Sequence, residues 1–394
     1  MSYVDVIEWL SGEECRRLDN PGFAAGLGAV LRNAGLPIDL MVFHIRLPHP
    51  ELVGHTCVWA PGRPVEVMQR SYGFLESAEY LGSPMRRVME SGRSLHLQHE
   101  GENGAAWTTL DVFQGRQLTD HVVAPLDNQD GPSAVSFCTA AAAGFRPEHC
   151  TLIDRILPML RDIVELRVLR QAEAVLLDTY VGTATAQRIL AGNVRRGQID
   201  ALEAALMVCD LRGFTALSNR LSSTRILQLL DMYFDRVIPP IIQSGGEVLK
   251  FMGDAVLAYF TADAPTAAAA SASKAALTVL TCLAETELPD AAMEASIALH
   301  YGKVSYGNIG SGSRLDFTVI GPDINLLNRI QGVCSDVGKP LLMSRRFSEL
   351  LHSPGTRSIG YRKLKGFPKE VELYELVPPR FDYNQVAPVS NALG

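Results

Sequence analysis

The stretch Gly245–Phe260, which reads GGEVLKFMGDAVLAYF, decides how the second half of this chain folds. Two apolar runs flank the triplet Met252-Gly253-Asp254, and a glycine between two such runs is typical of a tight β-hairpin turn. The pattern therefore predicts two paired strands with Asp254 at the tip of the hairpin.

A second aspartate, Asp210, lies at the end of an apolar segment, ALMVCDL, that predicts a buried strand over 205–211. Adjacent antiparallel strands can bring the carboxylates of Asp210 and Asp254 to one edge of a sheet. Carboxylate oxygens are hard ligands of the kind that Mg²⁺ and Mn²⁺ prefer. Either aspartate alone would be interpreted as a turn residue, but the pair at two buried strands favours a metal site.

The segment that follows Asp210 is LRGFT, residues 211–215. Gly213 allows the chain to turn, and Thr215 is predicted to cap the next helix. Backbone N–H groups at the start of a helix favour a phosphate. As an isolated pattern, a threonine before a helix is usually only a cap.

Lysine is scarce: the chain has 36 Lys and Arg together, but only seven are lysine and none precedes Lys250. A lysine in the apolar strand EVLKFM either extends its ammonium to an edge or is held for a partner. Thr318 lies in a predicted strand, where it would ordinarily be a strand threonine. Asn325 and Arg329 are four residues apart and therefore share one helix face. An amide and a guanidinium on one face suit a phosphoryl group or a carboxylate. The alternative is that this face is simply solvated.

The coarse secondary structure divides the chain into an α+β lobe, a helix and a second α+β lobe. Strands are predicted at 38–47, 55–60, 121–126 and 133–140, with a helix at 83–93. A helix from Pro147 to Gly182 has its apolar stripe at Leu152, Ile156, Leu160, Ile163 and Leu166, and it either packs on its own domain or pairs with a second subunit. The predicted domains are residues 1–150, a connector at 151–200, residues 201–378 and a tail at 379–394.

In the second half, a strand is followed by a helix, the hairpin, an alanine-rich helix over 264–284 and strands at 295–302 and 314–320. A helix at 322–332 and two strands around 357–376 complete the order, with Lys363 and Lys365 in a basic strand near a turn. This order predicts a ferredoxin-like or palm-type core, an antiparallel sheet with helices on one face.

Composition excludes several classes of protein. A net charge of −7 offers no general attraction to nucleic acid or anionic lipid. Apolar runs fall short of a membrane span, and the acidic N-terminus lacks the order of a signal peptide. Seven scattered cysteines without a CxxC pair argue against a disulfide framework or zinc site and fit reduced thiols, so a cytoplasmic location is expected.

Four segments together resemble the catalytic domain of class III nucleotidyl cyclases: VCDLRGFTALS, GGEVLKFMGDAVLAYF, DFTVIGPDINLLNRIQ and LKGFPKEVELYEL. The resemblance covers about 205–378, and residues 179–197 resemble the connector that precedes the domain in some bacterial members. Residues 1–150 resemble a GAF-type sensor in the order of strands and helices. The resemblance implies a ferredoxin-like core that works as a head-to-tail homodimer with active sites at the interface.

Roles for individual residues follow from that resemblance alone. It implies that Asp210, Leu211 and Asp254 hold two Mg²⁺ or Mn²⁺ ions. It implies that Asn325 and Arg329 of the opposite subunit hold the reacting phosphate. The remaining residues that it places at the substrate are Lys250 and Thr318 at the purine, Gly213, Phe214 and Thr215 near the phosphates, and Lys365 at the triphosphate.

The choice of base follows from hydrogen-bonding groups. Adenine offers an N1 acceptor and an N6 donor, which suit the ammonium of Lys250 and the hydroxyl of Thr318. Guanine presents N1–H and N2–H donors, for which a carboxylate is the matching acceptor. ATP is therefore the expected substrate and 3′,5′-cyclic AMP the product, although Lys250 could also donate to guanine O6.

Three other interpretations stay open. A guanylate cyclase of the same family would share these motifs, and a non-catalytic binding module would be expected to lack some of them. Gly245-Gly246-Glu247 superficially suggests a diguanylate cyclase, but these residues precede the strand. The first lobe is expected to regulate, with an unknown ligand, or to serve only as a dimerisation scaffold; its histidines at 44, 55, 96 and 99 invite haem or metal but are more often core or surface residues.

Overall fold

The computed structural model describes residues 3–98, 111–113, 115–128, 131–286, 293–312 and 314–376. The chain divides into two compact units, Met1–Leu176 and Leu177–Gly394. Helices and strands that begin in the first unit are α1 (Tyr3–Ser11), α2 (Glu13–Arg17), α3 (Asn20–Asn33), β1 (Leu40–Arg46), β2 (Leu52–Trp59), β3 (Glu66–Ser71), α4 (Ala78–Leu81), α5 (Pro84–Ser91), β4 (Leu95–Gln98), β5 (Asp120–Asn128), β6 (Gly131–Thr139) and α6 (Pro147–Val181).

The first unit is built on a six-stranded antiparallel sheet in the order β3-β2-β1-β6-β5-β4. Its larger core lies on one face, where Phe23 of α3 and Ile156 of α6 pack with Met41 and Phe43 of β1. The predicted α+β character, the four strands and the helix that ends at Gly92 are confirmed. The helices α1 to α3 precede the first strand and were not predicted.

The long helix predicted from Pro147 is confirmed, but its buried face differs from the prediction. The buried row follows Ile156, Leu160, Val164 and Val168, at the spacing of successive helical turns. Leu166, which was predicted on that face, is 47% exposed because it lies two residues, or about 200°, from Val164. After Leu160, the predicted apolar stripe therefore no longer follows the buried face of the helix.

The second unit holds the remaining elements. They are α7 (Thr183–Leu190), β7 (Ile199–Leu211), α8 (Phe214–Ser218), α9 (Ser223–Gln243), β8 (Gly246–Met252), β9 (Ala255–Phe260), α10 (Pro265–Ala284), β10 (Ala295–Ser311), β11 (Arg314–Ile320), α11 (Pro322–Asp336), β12 (Leu341–Ser344), α12 (Arg345–Leu351), β13 (Thr356–Arg362) and β14 (Val371–Leu376).

Eight strands form one sheet in the order β13-β14-β12-β10-β7-β9-β8, with β11 paired to β10. Most pairs are antiparallel, as predicted, but β10 and β12 run parallel. The helices α9 and α10 pack on one face, whereas α11 packs on the other through Ile324, Leu327 and Ile330. The expectation that helices cover one face is therefore wrong, because α11 has an apolar stripe of its own.

One helix of the described chain, α10, is long and apolar enough to span a membrane by length and composition. The sequence analysis expected no such segment. Alanines on α10, including Ala272 and Ala276, are fully buried in the core that α10 forms with α9 and the sheet. A row of small residues that permits this close packing is typical of a core helix.

The last strands also differ from the prediction. Lys363 and Lys365 were expected in a strand, but both lie in the connection between β13 and β14. Gly366 in this connection has a φ of +89°, which ends the extended backbone there. The elements β12 and α12 were not predicted, because a four-residue strand followed directly by a seven-residue helix leaves little periodicity to detect.

Candidate active site

Asp210 and Asp254 lie side by side at one end of the sheet of the second unit. Cys209 of β7 pairs with Val256 of β9, so the residues just beyond these two reach the same edge. The β8–β9 hairpin closes through Gly253, whose φ of +69° suits the tight turn, and Asp254. Two aspartates that are remote in the sequence are thereby brought together.

The two carboxylates lie close together in a half-buried environment, so each disfavours ionisation of the other. Burial and then the neighbouring Asp254 carboxyl raise the pKa of Asp210 to about 7. The side-chain amide of Gln331 opposes this shift, since its Nε2 donates a hydrogen bond to Asp210 Oδ2 at 2.7 Å. Such a pair is stabilised by any cation that binds between the two carboxylates.

The donor set fits a hard divalent cation held jointly with a substrate. Mg²⁺ takes oxygen ligands and is commonly bound through one or two carboxylates plus substrate phosphates and water. Within the described ranges, no group of three or more His, Cys, Asp or Glu side chains could hold a metal ion. Two carboxylates match a cation whose remaining ligands come from a polyphosphate and water better than they match a closed structural site.

The loop after Asp210 begins a short helix. Leu211, the last residue of β7, is buried, and Gly213 at the helix N-cap has a φ of +71°. The predicted turn at Gly213 is confirmed. Thr215 was expected to cap the helix, but α8 begins at Phe214 and therefore includes Thr215, because Gly213 already occupies the cap position.

The two residues predicted to read the base lie on β8 and β11. Lys250 is 31% exposed at its side chain, and its Nζ donates to Asp316 Oδ2 at 2.8 Å. Thr318 is 7% exposed and lies opposite Gly307 of β10. The lysine that the sequence singled out thus has a carboxylate partner that the sequence analysis did not name.

Asn325 and Arg329 are exposed on α11, and no hydrogen bond or ion pair of either side chain is found among the described residues. Gln331 on the same helix contacts Asp210. At 100° per residue, Arg329 and Asn325 lie roughly 160° and 120° around the helix axis from Gln331. Their shared face is therefore turned away from the aspartate pair of their own chain. Lys365 is exposed in its loop, apart from these contacts.

The N-terminus of α11 is anchored by residues that sequence reasoning missed. Asp323 Oδ2 accepts a hydrogen bond from the backbone N–H of Lys303 at 2.7 Å, and its Oδ1 lies 3.3 Å from Nε2 of buried His300. His300 Nδ1 in turn contacts Ser344 Oγ at 2.7 Å. This order resembles a nucleophile triad, but Ser344 is buried and caps α12 by accepting from Phe347 N–H, so it serves packing.

Replacing Asp323 by asparagine should therefore destabilise the second unit and loosen α11. Contact with His300 first, and the Lys303 N–H in addition, lower the pKa of Asp323. Hydrogen bonds to a charged group contribute about 1.5–3 kcal/mol, so we expect a loss of that order at pH 7 in urea denaturation.

The pH dependence identifies the cause of this loss. A carboxyl whose pKa is lower in the folded than in the unfolded state stabilises the protein at pH values above its unfolded-state pKa. This stabilisation is lost as the pH falls through its folded-state pKa. The difference between wild type and Asp323→Asn should thus be complete at pH 7 and shrink below about pH 4. Glu349→Gln, which removes an exposed pair with Arg345, serves as the control without a measurable change. An equal loss at pH 7 and pH 3 would contradict this explanation.

The first unit has a separate cavity on the sheet face opposite α3 and α6, where α5 contributes Pro84 and Met85. His44 and Thr56 meet there, with His44 Nδ1 3.1 Å from Thr56 Oγ1, and burial first lowers the pKa of His44 to about 4. Arg70 forms a bidentate pair with Asp111 at 2.9 and 2.7 Å. The residues that line this cavity are Val42, His44, Thr56, Arg70, Phe74, Pro84, Met85, Val112, Phe113, His121, Ala134 and Ser136.

The other histidines that suggested haem or metal have protein partners. His55 Nε2 lies 3.0 Å from Asn20 Nδ2, and His96 Nε2 lies 2.7 Å from Oδ1 of buried Asp120. His99 lies outside the described residues. These contacts are those of structural histidines in strands.

The second unit is similar to known proteins. Residues 199–377 match the family described as "Adenylate and Guanylate cyclase catalytic domain". An adenylate cyclase from Anabaena cylindrica is 28% identical over 196 residues, which cover 47% of this chain and 38% of that protein. Adenylate cyclase 1 from Rhizobium meliloti is 27% identical over 184 residues, 44% of this chain and 27% of that protein. The chain thus spans well under two thirds of the length of these relatives.

Solved structures of cyclases also align with this chain. The adenylyl cyclase CyaB from P. aeruginosa aligns with a TM-score of 0.42 and 24% identity, over 47% of this chain and 98% of that one. The guanylyl cyclase Cya2 aligns with a TM-score of 0.40 and 27% identity, over 47% of this chain and 96% of that one.

Proposed function

We propose that this chain, in which residues 199–377 form a catalytic domain of the adenylate and guanylate cyclase family, converts ATP to 3′,5′-cyclic AMP and pyrophosphate. The observation that carries this proposal is the meeting of the Asp210 and Asp254 carboxyls at the end of the sheet. The reaction is attack of the ribose 3′-hydroxyl on the α-phosphate, with pyrophosphate leaving in line.

Asp210 and Asp254 would hold one or two Mg²⁺ or Mn²⁺ ions, which supply a lowered pKa for the attacking hydroxyl and neutralise phosphate charge when bound. The backbone at Leu211 and Gly213 and the start of α8 at Phe214 and Thr215 would border the phosphates. Gln331 orients Asp210 through its hydrogen bond and keeps one carboxylate oxygen in place. This positioning matters because a misdirected ligand weakens both metal and substrate binding.

Arg329 would stabilise the negative charge that develops on the α-phosphate, and Asn325 would orient the ribose. The orientation of α11 supports a role in the partner's site, since this face turns away from the aspartates of the same chain. A homodimer in which each site takes the aspartates from one subunit and Asn325 with Arg329 from the other satisfies both constraints. Lys365, exposed in its loop, would contact the triphosphate.

Lys250 and Thr318 would recognise adenine, the ammonium at N1 and the hydroxyl at N6. A specific observation also favours a second candidate, guanylate cyclase activity. The ammonium of Lys250, which lies 2.8 Å from Asp316 Oδ2, could also donate to guanine O6. ATP is the preferred substrate because the hydroxyl of Thr318 can accept from adenine N6–H while the ammonium of Lys250 donates to N1.

We further propose that the first unit regulates the cyclase in the manner of a GAF-like sensor and that the protein works in the cytoplasm. Support comes from the cavity between the sheet and α5, where buried polar side chains meet apolar ones, as is usual in small-molecule sites. The helix α6 leads from this unit to the residues of the second. Dimerisation without a ligand is the alternative role.

Product analysis tests the proposed activity. Purified full-length protein with Mg²⁺ or Mn²⁺ should form cyclic AMP from ATP and, with a lower kcat/KM, cyclic GMP from GTP, separated by chromatography. A higher kcat/KM for GTP would identify a guanylate cyclase, and bound nucleotide without either product would identify a binding module. Comparison of full-length protein with residues 183–394 then reports whether the first unit changes the rate.

A further inference from the structure

An ion pair between β8 and β11 lies at the position where the proposed function requires base recognition. Lys250 Nζ and Asp316 Oδ2 are 2.8 Å apart, and the side chains are 31% and 62% exposed. An exposed pair of this kind contributes little to stability. The pair is therefore of interest less for stability than because a bound molecule can reach both side chains.

Asp316 and Thr318 are two residues apart on β11, so their side chains emerge on the same face of the strand. Phe317 between them points to the opposite face and packs with the core around Tyr306. Lys250, Asp316 and Thr318 consequently place an ammonium, a carboxylate and a hydroxyl on one surface.

We propose that Asp316 is a specificity-determining residue of the base site, which acts by holding the ammonium of Lys250 and by accepting from the exocyclic amine of adenine. This inference rests on the proposed function of the second unit. An ammonium has three N–H donors, so one donated to Asp316 leaves two for the base. The carboxylate retains acceptor positions beside that ammonium.

The physical consequence concerns the freedom of the lysine side chain. A lysine ammonium is a compact charge on a flexible four-carbon stem. Held by Asp316, it faces adenine N1 while N6–H donates to the neighbouring carboxylate. Without Asp316, the ammonium can donate to guanine O6 as readily as to adenine N1, and only the hydroxyl of Thr318 remains as an acceptor for N6–H. Removing the carboxylate should therefore lower discrimination against GTP.

The test compares kcat/KM for ATP and GTP in wild type, Asp316→Ala and Asp316→Asn. We expect the ATP:GTP ratio to fall about tenfold in Asp316→Ala, within the range for one base-reading pair, and less in Asp316→Asn, which keeps an acceptor oxygen. Glu203→Ala is the matched control, because it removes the exposed ion pair with Lys303 on β10 and should leave the ratio unchanged.

A double-mutant cycle separates action through Lys250 from a general structural effect. In a Lys250→Ala background, Asp316→Ala should change the ATP:GTP ratio by clearly less than in the wild-type background, because the contribution that acts through the ammonium is already absent. A ratio that stays at the wild-type value in Asp316→Ala, that rises, or that falls equally in both backgrounds would overturn the inference.

A binding measurement distinguishes failure of this inference from failure of the proposed function. Calorimetry with ATP and with GTP in the presence of Ca²⁺ gives the ratio of the two Kd values without turnover. If wild type binds nucleotide but forms no cyclic product, the proposed activity is wrong, and the Kd ratio in Asp316→Ala still decides the role of Asp316. Absence of binding to both nucleotides in wild type would overturn the two proposals together.

Discussion

Replacing Asp254 by asparagine should reduce cyclic AMP formation by at least roughly 10³-fold, because the proposed metal site would lose one of its two carboxylates. Asparagine has nearly the same shape as aspartate and can occupy the hairpin turn beside Gly253. The fold should therefore persist while the activity is lost. The measurement is the initial rate with saturating ATP and Mn²⁺, with circular dichroism as the check on folding.

The same variant should be more stable than wild type in the absence of divalent ions. Burial and Asp254 raise the pKa of Asp210 to about 7, so the folded state binds a proton more tightly than the unfolded chain does. The contribution of this pair to the free energy of unfolding therefore falls as the pH rises from about 4 to about 7. Asp254→Asn removes the like charge, and we expect its Tm in EDTA at pH 7.5 to rise by about 2–4 °C, equivalent to about 1 kcal/mol.

Asp263→Asn is the matched control, since Asp263 is an exposed aspartate in the loop after the same hairpin. It should leave both the rate and the Tm unchanged. Adding Mn²⁺ should raise the Tm of wild type and of Asp263→Asn but not that of Asp254→Asn. Full activity in Asp254→Asn, or an equal Mn²⁺ shift in all three proteins, would exclude the aspartate pair as the metal site.

Much of the second unit could be predicted because its signals are local. The apolar run before Asp210, the glycine turn before Asp254 and the helix that carries Asn325 each lie within one short segment. The juxtaposition of the two aspartates, which the metal hypothesis required, is present in the structure. Strand pairing around β7 and β9 was enough to anticipate it.

The contacts that were missed depend on packing between elements. Gln331 stood within a segment that was examined, yet its bond to Asp210 arises only because α11 packs on the sheet face opposite α9 and α10. Asp316 is an exposed aspartate in a strand, a pattern that ordinarily indicates a solvated edge. The predicted cap at Thr215 lies two positions after the observed cap, because Gly213 in the left-handed region begins the helix earlier than a threonine cap would.

Replacing Arg329 by alanine should lower kcat by about 10²–10³-fold with a smaller effect on KM, as expected for a group that stabilises charge mainly in the transition state. Arg329 is exposed on α11 and has no partner among the described residues, so its loss should leave stability unchanged. Arg236→Ala, at an exposed position on α9, is the control for removal of a surface arginine charge.

Mixing two inactive proteins decides whether Arg329 acts across a dimer interface. In a heterodimer of Asp210→Asn and Arg329→Ala subunits, one site carries both defects, and the other combines the intact aspartates of one subunit with the intact arginine of its partner. Random exchange of subunits in an equal mixture should thus restore about a quarter of wild-type activity. No restoration in co-purified heterodimers would mean that both residues serve the same subunit's site, which is the arrangement that the orientation of Gln331 and Arg329 on α11 argues against.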